Sequence, residues 1–366
     1  MTANQKLLLA ILSKTLNSNS QCEITCDNST DWDELYRLST TQGVLGIVWD
    51  GMQRPMCDKG VISQKFLSKS QKFQWAVNVE RIEQTYCKQE EALGNLAKIY
   101  SEYGIKMMVL KGYGLSLCYP TPNHRPCGDI DIWLYGERKR ADNLLRKRGF
   151  QISEDEHHHT VFSFNNIMVE NHYDFINVHA HRSNIKIEKR LKELAYQSNE
   201  YIELNGQKIY VPNSDFNALF LLRHTAAHFA AAEIGLRHVV DWAMFVNRYH
   251  NQINWDSLIS IAKENNMHNF LYCINAISIE YLGLSADNIP NFPRNKELEH
   301  RVLMDILQPE FGEMPPKSNV VKSMWFRYRR WWANRWKHKI VYREGLFSTF
   351  VIQIWSHLLK PKSLIK

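Results

Sequence analysis

The stretch VLKGYGLSLCYPTPNHRPCGDIDIWL, residues 109–134, contains Lys111-Gly112-Tyr113-Gly114 and then Gly128-Asp129-Ile130-Asp131-Ile132-Trp133-Leu134. Apolar Ile130, Ile132 and Leu134 alternate with Asp129, Asp131 and Trp133. Side chains on a strand alternate faces with a period of two, so this spacing predicts a strand with both carboxylates on one face. Two carboxylates side by side repel each other unless a cation balances them, and hard oxygen ligands on one strand face suit Mg²⁺ held together with phosphates. The upstream glycines lack a Cβ and let a backbone turn come close to a phosphate. The combination reads as a phosphoryl-transfer site.

Over these residues the chain resembles the uncharacterised nucleotidyltransferase family of the polymerase-beta-like superfamily, whose pattern is a Gly-Gly or Gly-Ser turn followed by Asp-x-Asp on a strand. Here Tyr113 stands in place of the second small residue of that turn. The resemblance implies a third carboxylate from a later strand. Its match is Glu170 in IMVENHYDF, residues 167–175, which is similar to the family's Val-Glu-apolar-His-Trp segment, with Asn171 at the apolar position and Tyr173 for the Trp. LLRHTAAHFAAAEIGLRHVVDWAMFV, residues 221–246, resembles the family's helical segment at His224, His228, Gly235, Arg237 and Asp241. The likeness spans roughly residues 80 to 285. It implies Asp129, Asp131 and Glu170 as catalytic and metal-binding residues, and Lys111, Gly112, Gly114, Arg125, Gly128 and His172 as nucleotide-binding ones. Carboxylates that converge in this way hold two Mg²⁺ ions about 4 Å apart, with Mn²⁺ as the substitute, for in-line transfer.

The residues themselves leave some roles open. Lys111 as a point charge and Arg125 as a planar fork are phosphate donors, or they form salt bridges to the same aspartates. His172, two residues from Glu170, shares its strand face, where it orients that carboxylate, touches the acceptor or is a satisfied core histidine. His157-His158-His159 cannot all face one ion on a strand, because the middle one points away. His224 and His228 share a helix face, but Thr225 stands where a His-Glu-x-x-His protease has its Glu, so packing or substrate contact is the expectation. Arg237 and Asp241, four apart, suit an intrahelical ion pair.

At 366 residues with 44% hydrophobic content the chain can build two or three units, at about 150 residues per domain. It has no apolar run of about 18 residues and no signal peptide at MTANQKLLLAILSK, so a cytoplasmic protein is expected. Its seven cysteines lack a paired metal-ligand spacing and read as thiols. The net charge of +7 divides unevenly: residues 317–366 carry +11 and residues 1–316 carry −4.

Helical spacing covers residues 5–13, 32–53, with Thr30 or Asp31 as cap, and 63–103 as one helix or two. Residues 137–148 and 186–198 are also helical by spacing. A run of helices is expected at about 215–231, 234–249, 255–265 and 268–283, followed by a linker at 286–296. Asn165-Asn166 and Asn205-Gly206 mark hairpins. Four units follow: an N-terminal helical unit at 1–79, a nucleotidyltransferase core at 80–185, a mainly helical domain at 186–310 and a basic Trp-rich tail at 311–366. In the tail, Trp325, Tyr328, Trp332 and Trp336 fall at helical spacing on one face. Such a face packs on the body, lies on an anionic membrane surface or stacks on RNA.

The expected fold is therefore α+β, a polymerase-beta-like core of mixed sheet and packed helices flanked by helical units. The expected activity is Mg²⁺-dependent transfer of a nucleoside monophosphate from an NTP to a small molecule, protein or RNA. The alternatives are an inactive module of the same fold that binds nucleotide or a partner, and a membrane-surface factor in envelope or polysaccharide assembly. Neither the acceptor nor the oligomeric state is encoded in a recognisable motif.

Overall fold

The computed structural model describes residues 1–17, 20, 22–55, 60–154, 158–313, 320–346 and 348. The chain opens with α1 (Ala3–Leu16), α2 (Trp32–Thr41), α3 (Leu45–Gln53), α4 (Ile62–Phe66) and α5 (Lys69–Ser101). Asp31 caps α2 by accepting the Glu34 N–H, and Ser68 caps α5 in a reciprocal box with Gln71. The helical stretch expected at 32–53 divides at Gly43, whose φ of +69° breaks the helix. α5 runs 33 residues, about 50 Å at the helical rise. Its first turns, with Trp75 and Val79, join the core of the N-terminal helices, while Tyr86, Leu93, Leu96 and Tyr100 pack behind the sheet.

The core alternates β1 (Met108–Val109), α6 (Tyr113–Ser116), β2 (Ile130–Trp133), α7 (Arg138–Lys147), β3 (His159–Phe164), β4 (Ile167–His172), α8 (Ser183–Tyr196), β5 (Tyr201–Leu204) and β6 (Gln207–Tyr210). Six strands form one mixed sheet in the order β3-β4-β2-β1-β6-β5. β2 is parallel to β4 and antiparallel to β1, and β1 is parallel to β6. Both hairpins turn at the expected positions, with Asn165, Asn166, Asn205 and Gly206 all at positive φ. The β5-β6 hairpin, read from the sequence as part of the helical domain, extends this sheet: Met108 pairs with Tyr210, and Tyr210 N donates to the Met107 carbonyl. Spacing reveals a hairpin but not the edge on which it docks, because that pairing is long-range.

The sheet separates two cores. Ile130, Ile132, Leu134, Val169 and Phe162 face α5 and α7, including Ala141 and Leu145. On that face Asn171 replaces an apolar residue, and its amide donates to the buried Asp142 of α7 at 3.0 Å, as does the Thr160 hydroxyl at 3.2 Å. The opposite face presents Asp131, Trp133, Glu170 and His172, with α9 (Ser214–Ala231) and α10 (Leu236–Tyr249) closing the pocket over Asp131, and α11 (Trp255–Glu264) and α12 (His268–Leu282) packing on those helices. Asn213 closes the N-terminus of α9, its side chain accepting from the Phe216 N–H, where spacing suggests Ser214 or Asp215 as the cap. Beyond the linker the chain adds α13 (Lys296–Leu307), capped by Asn295, and then α14 (Val320–Ala333) and α15 (Arg335–Lys339).

The four tail aromatics do not share one surface. α14 ends at Ala333 and α15 restarts at Arg335, so Trp336 leaves the helical face of the others. Trp336 packs edge-on against Phe229, with Arg301 stacked over it at 4.0 Å, and Lys337 is buried against Asp305 at 2.6 Å. Trp325, Tyr328 and Trp332 are exposed by 60%, 43% and 52%. Most of the apolar stretch at 346–359 lies outside the described residues. No helix among the described residues is long and apolar enough to cross a membrane, and all six described cysteines are free thiols.

Candidate active site

Register across β2 and β4 builds the centre of the site. Asp131 pairs with Glu170, and on parallel neighbours in register both side chains emerge on one face. Ligand atoms of Asp131, Glu170 and His172 lie within 4.8 Å of one another. Asp131 Oδ1 takes the His172 Nε2–H at 2.9 Å and lies 3.2 Å from Lys111 Nζ. Asp131 Oδ2 is buried without a hydrogen-bond partner in the protein. A buried carboxylate oxygen left open in this way is costly unless a cation completes it, so the residues present fit a divalent metal.

Asp129 departs from the expected arrangement. It lines the same pocket as Lys111 and Asp131 but is not in the close ligand group among the described residues. The strand begins only at Ile130 and Asp129 sits in the preceding bend, so strict alternation does not reach it. Burial, and then the neighbouring Asp131 charge, raise its pKa. For Asp131 burial acts upward as well, but the Lys111 ammonium and the His172 hydrogen bond outweigh it and hold the carboxyl well below its usual range. His172 responds in the opposite sense: burial lowers its pKa, but Asp131 and Glu170 together push it up to about 9. Its Nδ1 faces the Asp174 carbonyl at 3.2 Å, so both ring nitrogens meet acceptors and the ring is a cation.

The turn that carries Lys111 requires glycine. Gly112 has φ +52° and ψ −110°, a region closed to residues with a Cβ, and Asp129 O would lie 3.6 Å from such an atom, an ordinary contact. Gly112→Ala is therefore expected to cost about 1–3 kcal/mol through backbone strain, read as a lowered denaturant midpoint; an unchanged midpoint would show that the turn relaxes freely. Tyr113, the residue that departs from the family's turn, does not enter the pocket. Its ring stacks on Tyr86 with centroids 5.1 Å apart and its hydroxyl donates to Glu90 at 2.7 Å.

The loop from Pro122 to Gly128 is fixed from three directions. Gly46 of α3 lets the loop backbone come so close that a Cβ there would sit 2.5 Å from His124 O. The His124 ring reaches Asp50 of α3 and Glu83 of α5, both at 2.7 Å. Arg125, expected as a phosphate donor or as a partner of the active-site aspartates, closes its fork on Asp241 of α10 at 2.7 and 2.8 Å, and the Tyr119 hydroxyl adds 2.5 Å. This replaces the expected Arg237–Asp241 ion pair. A buried fork prefers the geometry of a bidentate carboxylate, and Arg237 instead donates to the Pro126 carbonyl at 3.4 Å. Gly128 is exposed, and Gly114 lies on α6 behind the turn.

Across the pocket from Lys111 and Asp131 stand His224 of α9 and Arg237 and His238 of α10. Burial, then Lys111, hold His224 well below its usual pKa, and burial with Arg237 takes His238 down to about 4. Only the three-dimensional packing brings His238 to the pocket; its spacing from Gly235 carried no distinct signal. Behind these helices burial brings His181 to about 2, whereas it raises Glu188 to about 7.

These shifts fix the sign of a pH effect. His181, His224 and His238 stay neutral in the folded protein, while in the unfolded chain they protonate below about pH 6.5. The stability they contribute is present above pH 6.5 and is lost as pH falls toward their folded values. Glu188, raised, opposes them with one proton between about 4.5 and 7. His172, also raised, contributes stability below pH 6.5 that is lost as pH rises toward 9. Chemical denaturation should therefore show maximal stability near pH 6.5, falling by about 3 kcal/mol per pH unit on the acid side, the net of two protons. A midpoint that rose from pH 6.5 to 5 would contradict the neutral assignment.

The family model described as "Uncharacterised nucleotidyltransferase" matches residues 28–283. Among solved structures, an antigenic nucleotidyltransferase-like protein from Paracoccidioides brasiliensis is similar, at 13% identity and a TM-score of 0.34, over 54% of this chain and 92% of that one. No curated protein matches the chain. With the family match covering the sheet, the Lys111 turn, Asp131, Glu170 and the helices that close the pocket, the chain belongs to the uncharacterised nucleotidyltransferase family.

Proposed function

We propose that the protein transfers a nucleoside monophosphate from an NTP to an acceptor, using Mg²⁺ held by Asp131 and Glu170 with Asp129 at the pocket wall. The observation that carries this reading is the in-register Asp131–Glu170 pair with Asp131 Oδ2 buried and open, beside a lysine on a glycine turn. Bound Mg²⁺, as a pair of ions, would supply charge neutralisation for the phosphates and activation of the attacking oxygen. Lys111 contributes a point charge to the triphosphate, and the positive-φ turn at Gly112 brings backbone close to it. His172 donates Nε2–H to Asp131 and so holds that carboxylate in one orientation. Arg125 is a positioning residue, since its pair with Asp241 anchors the loop that delivers Gly128 and Asp129. Neutral His224 and His238 face the same pocket and are placed to meet the acceptor or the base.

Tyr113, turned away to Tyr86 and Glu90, leaves the turn open and supports turnover over a binding-only module. Incubation of the full chain with each labelled NTP and cell extract, with Mg²⁺ or chelator, tests the reading. Label should enter an acceptor in the Mg²⁺ reactions and not with Asp129→Ala. Nucleotide binding without incorporation for any NTP would favour the binding module.

A further inference from the structure

Beside His172, which holds Asp131, stand two histidines that the proposed transfer does not use, His158 and His159. His159 pairs with His172 across β3 and β4, and Val161 with Glu170, so His159, Glu170 and His172 share one face. His159 Nε2 lies 3.6 Å from Glu170 Oε1, and His172 Nε2 lies 3.5 Å from Glu170 Oε2. His158 joins them, because nitrogens of His158, His159 and His172 all lie within 4.8 Å of one another. The alternation that should turn His158 away from His159 does not operate. His158 precedes β3 in a bend, its carbonyl accepting the N–H groups of Tyr173 and Asp174 at 3.0 and 3.1 Å, and its ring lies 4.4 Å from that of His159. His157 is outside the described residues.

Three converging imidazoles form a ligand set of different character from the Asp131 side. Mg²⁺ takes oxygen ligands in a near-octahedral shell, whereas imidazole nitrogen suits Zn²⁺ and neighbouring transition ions. Ligand atoms about 2.0–2.1 Å from a tetrahedral ion are roughly 3.4 Å from each other, a spacing the three imidazole nitrogens, all within 4.8 Å of one another, reach by closing slightly. We propose that His158, His159 and His172, with His172 giving up its Nε2 proton on binding, form a nitrogen-rich site for one divalent transition-metal ion of the Zn²⁺ class, adjoining the Mg²⁺ position beside Glu170. The site rests on the geometry of β3 and β4 and not on the nucleotidyl-transfer reading. Where both ions are present, a transition ion that takes His172 removes its hydrogen bond to Asp131 and so competes with the Mg²⁺ position.

The test uses the full chain, stripped with chelator and titrated with Co²⁺, whose visible absorption reports coordination. The expected result is one equivalent bound with the intense bands of a four-coordinate ion, retained in a large excess of Mg²⁺ and displaced by Zn²⁺. Thiolate ligation, the competing source among the free cysteines, adds near-ultraviolet charge-transfer absorption and would overturn the assignment if it accompanied the bands. His158→Asn and His159→Asn, made singly and together, should each weaken Co²⁺ binding by about 100-fold or more while the far-ultraviolet dichroism is kept. Octahedral-type weak bands in the wild-type protein, or displacement by equimolar Mg²⁺, would overturn the site without recourse to any variant. Loss of NTP incorporation alongside an intact Co²⁺ spectrum would instead sink the transfer reading and leave this site standing.

Discussion

Asp131→Asn is expected to reduce nucleotide incorporation by about 10³-fold or more, because the change removes the charge that holds the cation and leaves the shape nearly the same. The same substitution should also cost stability. From the sequence, neutralising one of two crowded carboxylates reads as harmless or helpful. In the structure Asp131 is balanced instead, by Lys111 at 3.2 Å and the His172 ring at 2.9 Å, and without the carboxylate these two cations face each other across a buried site. About 3 kcal/mol is the expected cost, at the low end for breaking a buried ion pair because the Lys111 side chain keeps 20% exposure. Denaturant unfolding in chelator and incorporation in Mg²⁺ read the two effects separately. Full incorporation by a folded Asp131→Asn protein would remove Asp131 from the chemistry, and an unchanged midpoint would show that Lys111 and His172 find other partners.

Asp241→Ala should destabilise the protein by about 3–5 kcal/mol. Arg125 and Asp241 are 2% and 6% exposed, joined through two hydrogen bonds, with the Tyr119 hydroxyl as a third contact. Removing the carboxylate leaves a guanidinium in the interior beside the Pro126 carbonyl and the Cys127 sulfur, with no carboxylate to balance it. Arg125→Lys should recover little of the loss in comparison with Arg125→Ala, since an ammonium cannot span both oxygens. The pair joins the loop before β2 to α10 and lines the pocket, so incorporation should fall with it. A variant that unfolds at the wild-type midpoint would show that the loop is held by His124 and Gly46 alone.

Much of the molecule is encoded locally. The alternation over Ile130 to Trp133, the Asn-Asn and Asn-Gly turns, the cap at Asp31 and the apolar spacing of α9 to α12 act within a few residues, and local pattern is sufficient to specify them. The same holds for Asp131, Glu170 and His172, since period two sets the face of each side chain once the strands are known. What the sequence by itself determined is therefore the set of elements and the residues each one presents. Tertiary structure alone decided which of those residues meet. It placed Arg125 on Asp241, a pairing that crosses 116 positions and depends on α10 packing over the sheet. It brought His158 beside His159 through a bend that breaks alternation, and it separated Trp336 from Trp325 and Trp332 by ending one helix at Ala333. In each case the deciding contact is long-range or sits at an element's end, where periodicity no longer fixes direction.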